Sequence, residues 1–203
     1  MKSHSHSGPD KVVWIDEFLS ERACMAILDE LEYCFWSRSS VIAYRDGNLR
    51  SWVSGARTSE TTTAKWFSST LKREMARVDR RIERTLGESP GALEGWQATR
   101  YGLGQRFDYH YDFGHCRYEP QGRRIATLLL YLHSPRAGGG TRFRDLELDI
   151  AAVSGRLLYF RNVLPDGTDN LRMLHAGMPV TRGKKITLVN WVREHPLLSA
   201  QAS

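Results

Sequence analysis

The sequence contains no run of apolar residues approaching the ~20 that a helix needs to cross a bilayer. Its longest, Ile125 to Leu132, is interrupted by Thr127 and suits a buried strand. No hydrophobic segment near Met1 has the pattern of a secretory signal, and the three cysteines, Cys24, Cys34 and Cys116, cannot all pair with one another. These absences lead us to expect no membrane partner and a reducing, cytoplasmic setting, with the thiols serving as small packing residues or surface groups. Glycine and proline, 17 and 7 residues, are too few for a collagen or a mucin-like stalk, and no internal repeat is visible.

What is present suits one globular domain: 203 residues, 41% hydrophobic and 26% charged, enough apolar surface to offset the entropy of ordering. Residues 1–10 read as a disordered leader, where the His4 and His6 pair has nothing to orient it as a metal site. Ser20 is a candidate N-cap for a helix carrying Ala23, Ile27, Leu31 and Phe35 at four-residue steps. A second helix follows from Phe67, Leu71, Met75, Val78, Ile82 and Leu86, and Gly87 to Gly91 stops it. The segment Ser37–Thr63 between them is too long for a plain connection and predicts strands or a functional loop.

From Leu93 onward the period changes to two. Strands are predicted near 94–101, 106–113, 124–132, 141–144, 146–150, 155–161, 171–175 and 184–192. Many short strands after two helices predict an α+β fold, a sandwich or jelly roll of 92–195 with N-terminal supporting helices within 11–91.

The net charge is +6, and a positive field rewards nucleic acid, an anionic membrane or an anionic small substrate alike. The arginine clusters at 77, 80, 81 and 84 and at 136, 142 and 144 read as solvated faces rather than a nucleic-acid stripe.

Chemistry concentrates in Phe107 to Phe113, where an extended chain directs His110 and Asp112 to one side. Such a pair is weak evidence for a metal until a second histidine joins it from elsewhere to give a two-histidine, one-carboxylate face. Among the seven histidines, His175 stands apart, at the close of a predicted strand and ten residues ahead of Lys185. In the run Lys184 to Val192, alternation places Lys185, Thr187, Val189 and Trp191 on one face and Ile186, Leu188, Asn190 and Val192 on the other. If the second face packs on the helices, Lys185 points inward and needs an anion, for which a dicarboxylate ligand or a protein carboxylate would serve.

At these residues the sequence resembles the Fe(II)/2-oxoglutarate-dependent dioxygenases of the prolyl 4-hydroxylase-like branch. The resemblance covers most of 93–194 and is carried by the stretches Tyr101 to Asp112, Arg124 to Leu132, Gly138 to Phe143 and His175 to Val180, with Lys185 and Trp191. Val12 to Leu31 and Arg57 to Ser59 match more loosely. It implies a double-stranded β-helix in which His110, Asp112 and His175 bind Fe(II), Lys185 pairs with the far carboxylate of 2-oxoglutarate, Tyr101 hydrogen-bonds that cosubstrate and Thr141 lines its pocket. It further implies hydroxylation of an aliphatic C–H with O2, releasing succinate and CO2, with ascorbate as a possible addition. Asp112 favours hydroxylation over halogenation, because related halogenases lack that carboxylate. Arg124 and Trp191 match substrate-contacting positions. Phe107 stands where the family usually has tyrosine, which changes what a substrate carbonyl can bond to.

The expected partner is therefore a small-molecule or peptide substrate: an amino acid, a peptidyl proline-like residue or a related intermediate. A nucleic-acid dealkylase of the same superfamily and a metal-holding module without turnover are the alternatives. The dealkylases usually hold the 2-oxo acid with arginine rather than lysine. Arg45, Arg50 and Arg57 are candidates for a lid over an anionic substrate.

Overall fold

A computed structural model describes residues 1–6, 11–45, 48–113 and 119–196, the side chains of 43–45 aside. His115 and Cys116 lie outside the described residues, as do 7–10 of the expected leader and the Arg45 side chain.

The N-terminal part holds β1 (Lys2–His6), β2 (Val12–Asp16), α1 (Glu21–Leu31), β3 (Ser37–Arg38), β4 (Ser40–Arg45), β5 (Asn48–Val53), β6 (Glu60–Thr63) and α2 (Ser69–Leu86). Next come β7 (Gln97–Tyr101), β8 (Phe107–His110), β9 (Arg124–His133), β10 (Ala137–Gly138), β11 (Thr141–Phe143) and β12 (Leu148–Ile150). The chain closes with β13 (Leu157–Arg161), β14 (His175–Gly177), β15 (Val180–Arg182) and β16 (Lys185–Arg193). Eight strands form one antiparallel sheet in the order β1-β2-β13-β9-β16-β7-β6-β3, and four form a second in the order β12-β11-β14-β8. Two-stranded ribbons, β4-β5 and β10-β15, complete the described strands.

Helix α1 starts at the predicted cap, Ser20, and α2 at a cap that sequence reasoning did not name, Ser68. The Ser20 hydroxyl accepts from the Ala23 N–H at 3.2 Å, and that of Ser68 accepts from Leu71 at 3.0 Å, each satisfying a donor that the first helical turn leaves open. Gly87, at φ 78°, ends α2 in the left-handed conformation that glycine adopts without side-chain strain. The helices bury Cys24, Ile27, Leu31, Leu71, Met75, Val78 and Ile82 against the outer face of the large sheet, where Leu128, Leu130, Leu132, Ile186, Leu188 and Val192 meet them. A second apolar layer, including Tyr131, Phe143, Ile150, Leu158, Phe160 and Met173, lies toward the small sheet. Strand β9 is thus buried on both faces.

Several expectations need correction. Residues 2–6 are not a free leader: β1 pairs with β2 from Lys2↔Asp16 to His6↔Val12, covering an edge that otherwise leaves backbone donors and acceptors open. Residues 11–91 are more than helical support, since β2, β3 and β6 join the large sheet. Helix α1 stops at Leu31, so Phe35 leaves its apolar face, is 59% exposed, and packs on Trp66 at 5.1 Å between ring centroids. In the predicted strand 171–175, Leu171–Met173 form a 3-10 turn in which the Asn170 side chain accepts from the Arg172 N–H, and β14 begins only at His175.

Leu71, fully buried where α2 meets the sheet, tests this packing. Leu71→Ala is expected to lower unfolding free energy by about 2–5 kcal/mol, read from the urea midpoint with an unchanged slope.

Candidate functional site

Each member of the histidine–carboxylate cluster is placed by a different piece of chain. His110 ends β8 and His175 begins β14, and the two are register partners in the small sheet. Asp112 lies just beyond the end of β8, and it meets His110 on a shared side as the alternation predicted. Asp112 Oδ1 is 3.6 Å from His110 Nε2, and Oδ2 is 3.6 Å from His175 Nε2. One ligand atom from each of the three residues lies within 4.8 Å of the others.

The surroundings set orientation and charge. Nδ1 of His110 is 2.8 Å from the Asp108 carbonyl, and Nδ1 of His175 is 3.0 Å from that of Met173. A carbonyl can only accept, so each Nδ1 carries the proton and each Nε2 keeps its lone pair for the cluster. Burial holds the His110 imidazole well below its usual range, with His175 acting in the same direction. Burial alone pushes Asp112 up, but the neighbouring imidazoles, the Arg124 guanidinium and the Thr127 hydroxyl hold it below the usual carboxylate range. The Thr127 hydroxyl donates to Asp112 Oδ2 at 2.8 Å and accepts from Asn162 Nδ2 at 2.9 Å. Two neutral imidazoles and an oriented carboxylate are a donor set for a divalent first-row metal.

Behind the cluster, Tyr101, Thr127, Thr141, Lys185, Thr187 and Trp191 line a chamber between the two sheets. The alternation predicted for β16 holds: Lys185, Thr187, Val189 and Trp191 line the chamber, while Ile186, Leu188 and Val192 join the apolar layer under the helices. Lys185 is 2% exposed. Its ammonium donates to the Gly139 carbonyl at 2.8 Å and stands 4.1 Å from the centre of the Tyr101 ring. Gly138 and Gly139 both have positive φ, and a β-carbon at Gly138 would sit 2.3 Å from the Pro179 carbonyl oxygen, so only glycine allows the turn that presents the Gly139 carbonyl. Among the described residues no carboxylate pairs with Lys185, and burial lowers its pKa to about 7. The Thr141 hydroxyl is 2.6 Å from that of Tyr131, a fully buried residue of the second apolar layer that the sequence pattern did not single out.

On the other side of the cluster an open cleft of about 500 Å³ reaches the surface. It is bounded by Phe107, Arg124 and Trp191 and by residues of the segment Ser37–Thr63, including Trp52 and Arg57. Phe107 stacks on the His110 ring at 3.6 Å. Arg124 stands 3.6 Å over the Trp191 ring, and its guanidinium is bonded twice, at 2.8 Å each, to Glu94. Arg193 donates to both Glu94 and Glu119, so two arginines and two glutamates form one chain of ion pairs. Sequence reasoning missed Glu94, because nothing in its neighbours marks a charge whose partners are 30 and 99 residues away. Arg50 is exposed on β5, away from the cleft lining.

Residues 96–193 match the family described as the 2OG-Fe(II) oxygenase superfamily. Among curated proteins, the chain is similar to "Probable prolyl 4-hydroxylase 9" of Arabidopsis thaliana, with 30% identity over 91% of this chain and 69% of that protein. It is 34% identical to "Prolyl 4-hydroxylase subunit alpha-2" of Caenorhabditis elegans over 64% of this chain, and spans only 25% of that subunit. Among solved structures, the viral collagen prolyl hydroxylase of Paramecium Bursaria Chlorella virus-1, in its 2OG complex, superposes with a TM-score of 0.67 at 25% identity. That match covers 90% of this chain and 95% of the viral one.

The hydrogen bond from Thr127 gives a direct test of how the cluster is held. Thr127→Val is expected to weaken Co(II) or Fe(II) binding by about 10–100-fold, measured by anaerobic metal titration, with little change in the far-UV circular dichroism spectrum.

Proposed function

The chain belongs to the 2OG-Fe(II) oxygenase superfamily, in its prolyl hydroxylase branch, and is a 2-oxoglutarate-dependent dioxygenase; from that premise we propose that it hydroxylates an aliphatic C–H of a proline-like residue. The observation that carries this is the pairing, in one chamber, of the His110, Asp112 and His175 cluster with a buried ammonium, Lys185, that has no carboxylate partner among the described residues.

The residues present fit the groups the family implies. His110, Asp112 and His175 would hold Fe(II), and Lys185 would meet the distal carboxylate of 2-oxoglutarate, supported by the Tyr101 ring and with Thr141 beside it. When bound, Fe(II) with 2-oxoglutarate and O2 supplies the oxidising chemistry: the 2-oxo acid becomes succinate and CO2, and one oxygen atom replaces C–H by C–OH on the substrate. The protein contributes position and dryness. Hydrogen bonds from Nδ1 to backbone carbonyls fix both imidazoles, and Thr127 turns the carboxylate toward them. Apolar side chains from both sheets, Leu129 and Phe160 from the large one and Phe107 from the small one, keep water from the chamber walls. The cleft lined by Phe107, Arg124 and Trp191 would receive the substrate, and Trp191 Nε1, buried without a partner among the described residues, would be a donor for a substrate carbonyl. We read the two facing sheets as a double-stranded β-helix, and the ribbon β4-β5 as a cover over the cleft.

Incubating the protein with Fe(II), 2-oxoglutarate, ascorbate and a panel of prolyl peptides and free amino acids is expected to give succinate and a product 16 mass units heavier. Failure to bind or consume 2-oxoglutarate with metal in place overturns the assignment. His110→Ala or Asp112→Ala is expected to abolish succinate formation, with metal content measured in parallel.

The Lys185 ammonium predicts a pH dependence. Its empty-site pKa is about 7, and a bound carboxylate favours the charged form and raises it. Affinity for 2-oxoglutarate is therefore full below pH 7 and falls by up to about tenfold per pH unit above it, until the raised pKa of the complex is passed. Calorimetry from pH 6 to 9 checks this, and Lys185→Met should bind weakly with no such slope.

A further inference from the structure

The cleft carries a positive charge that neither the metal cluster nor the chamber accounts for. Arg57 lies between β5 and β6 and lines both the chamber and the cleft. Its guanidinium stands 4.7 Å from the centre of the Phe107 ring, on which His110 also stacks, so aromatic surface holds it beside the cluster. Its hydrogen bonds run to the Ser40 carbonyl and the hydroxyls of Thr61 and Thr99, each at 3.4 Å, and its buried Nε has no partner among the described residues. Charge-assisted bonds from a satisfied guanidinium are typically ~2.7–2.9 Å, so these contacts leave it under-coordinated.

Two other arginines near the cleft are neutralised. Arg124 is paired with Glu94, and Arg106 with Asp108 at 2.7 Å. Arg57 has no carboxylate within ion-pair distance among the described residues, and Arg38, at the cleft mouth, has none either. A divalent metal on Asp112 together with a dicarboxylate on Lys185 would bring that set of charges to neutrality, leaving the charge of Arg57 over. A positive charge half-withdrawn from water is held at a cost unless an anion meets it. Phe107 offers the guanidinium a stacking surface but no hydroxyl, so the polar recognition on this wall falls to Arg57.

We propose, resting on the dioxygenase assignment above, that Arg57 is a specificity-determining residue that receives a carboxylate of the substrate. The substrate is then a prolyl compound with a carboxylate close to the carbon that is oxidised, either its own α-carboxylate or that of an adjacent acidic residue, and its neutral amide counterpart is discriminated against. A carboxylate at Arg57 has two sources, the substrate or the 2-oxoglutarate carboxyl group nearer the keto carbon, and the experiment separates them.

The probes are N-acetyl-L-proline with N-acetyl-L-prolinamide, and the peptides Ac-Pro-Asp-NH2 with Ac-Pro-Asn-NH2. Binding to the metal-loaded protein is read from tryptophan fluorescence, because Trp52, Trp66 and Trp191 line the cleft. The carboxylate member of at least one pair should bind about tenfold or more tightly than its amide, a difference of ~1.4 kcal/mol. Arg57→Gln should bring that ratio close to one, and Arg57→Lys should restore most of it; thermal melts confirm that both variants fold. Equal binding of both members of each pair to the wild-type protein, or a ratio that survives in Arg57→Gln, overturns the proposal. So does a loss of 2-oxoglutarate affinity in Arg57→Gln with the ratio intact, which gives the charge to the cosubstrate. Succinate formation by the wild-type protein is measured alongside. Its absence removes the dioxygenase assignment, whereas succinate formation without a carboxylate preference removes only the role of Arg57.

Discussion

Taking ionisable groups out of water and holding them between two sheets is costly unless each finds a counter-charge or a hydrogen bond, and that constraint organises this molecule. Asp112 receives a hydrogen bond from the Thr127 hydroxyl, and two imidazoles turn lone pairs toward the same point, so this end of the chamber is short of positive charge. Among the described residues Lys185 is answered by one carbonyl and the face of a tyrosine ring, so the other end is short of negative charge. A metal at the first end and a dicarboxylate reaching the second would complete both, which is why the unbalanced lysine says as much about function as the ligand cluster does.

Holding that chamber rigid falls to the layers around it. Strands β9 and β16 send alternate residues into the chamber and into the apolar layer beneath α1 and α2, so each helix contact also positions a chamber side chain. Trp191 is held from the opposite direction, with Arg124 over its ring and the Glu94, Arg193 and Glu119 pairs behind that guanidinium. Breaking one member of such a chain would strand the others, since a buried charge without its partner costs more than the pair contributes. The wall formed by Phe107 and Arg57 has no such completion, and the contrast between the two walls is what directs attention to the charge of the substrate.

Much of this was legible in residue order. The steps from Phe67 to Leu86 and Gly87 describe α2, and Ser20 marks the start of α1, because helix periodicity and end chemistry are local. The two faces of β16 were legible for the same reason, and with them the inward direction of Lys185. The end of β8 at His110 was not, since whether a strand continues for a few more residues depends on what packs against it. Nor was the strand character of residues 2–6, or the place of β2, β3 and β6 in the large sheet, because pairing partners far apart in sequence leave no period to read.

By itself, then, the sequence determined the helices, the alternating strands and the residue types able to bind a metal and a carboxylate, since these follow from backbone geometry and side-chain chemistry at short range. It also carried the family resemblance, in the order and spacing of its motifs. Only the tertiary structure decided which of the many charged residues are already paired. Glu94 takes Arg124 and Arg193, while among the described residues Arg57 and Lys185 are left without a carboxylate, and no rule of spacing contains that result. Charge compensation is a property of distances in space, and it is settled only when strands remote in sequence are brought face to face.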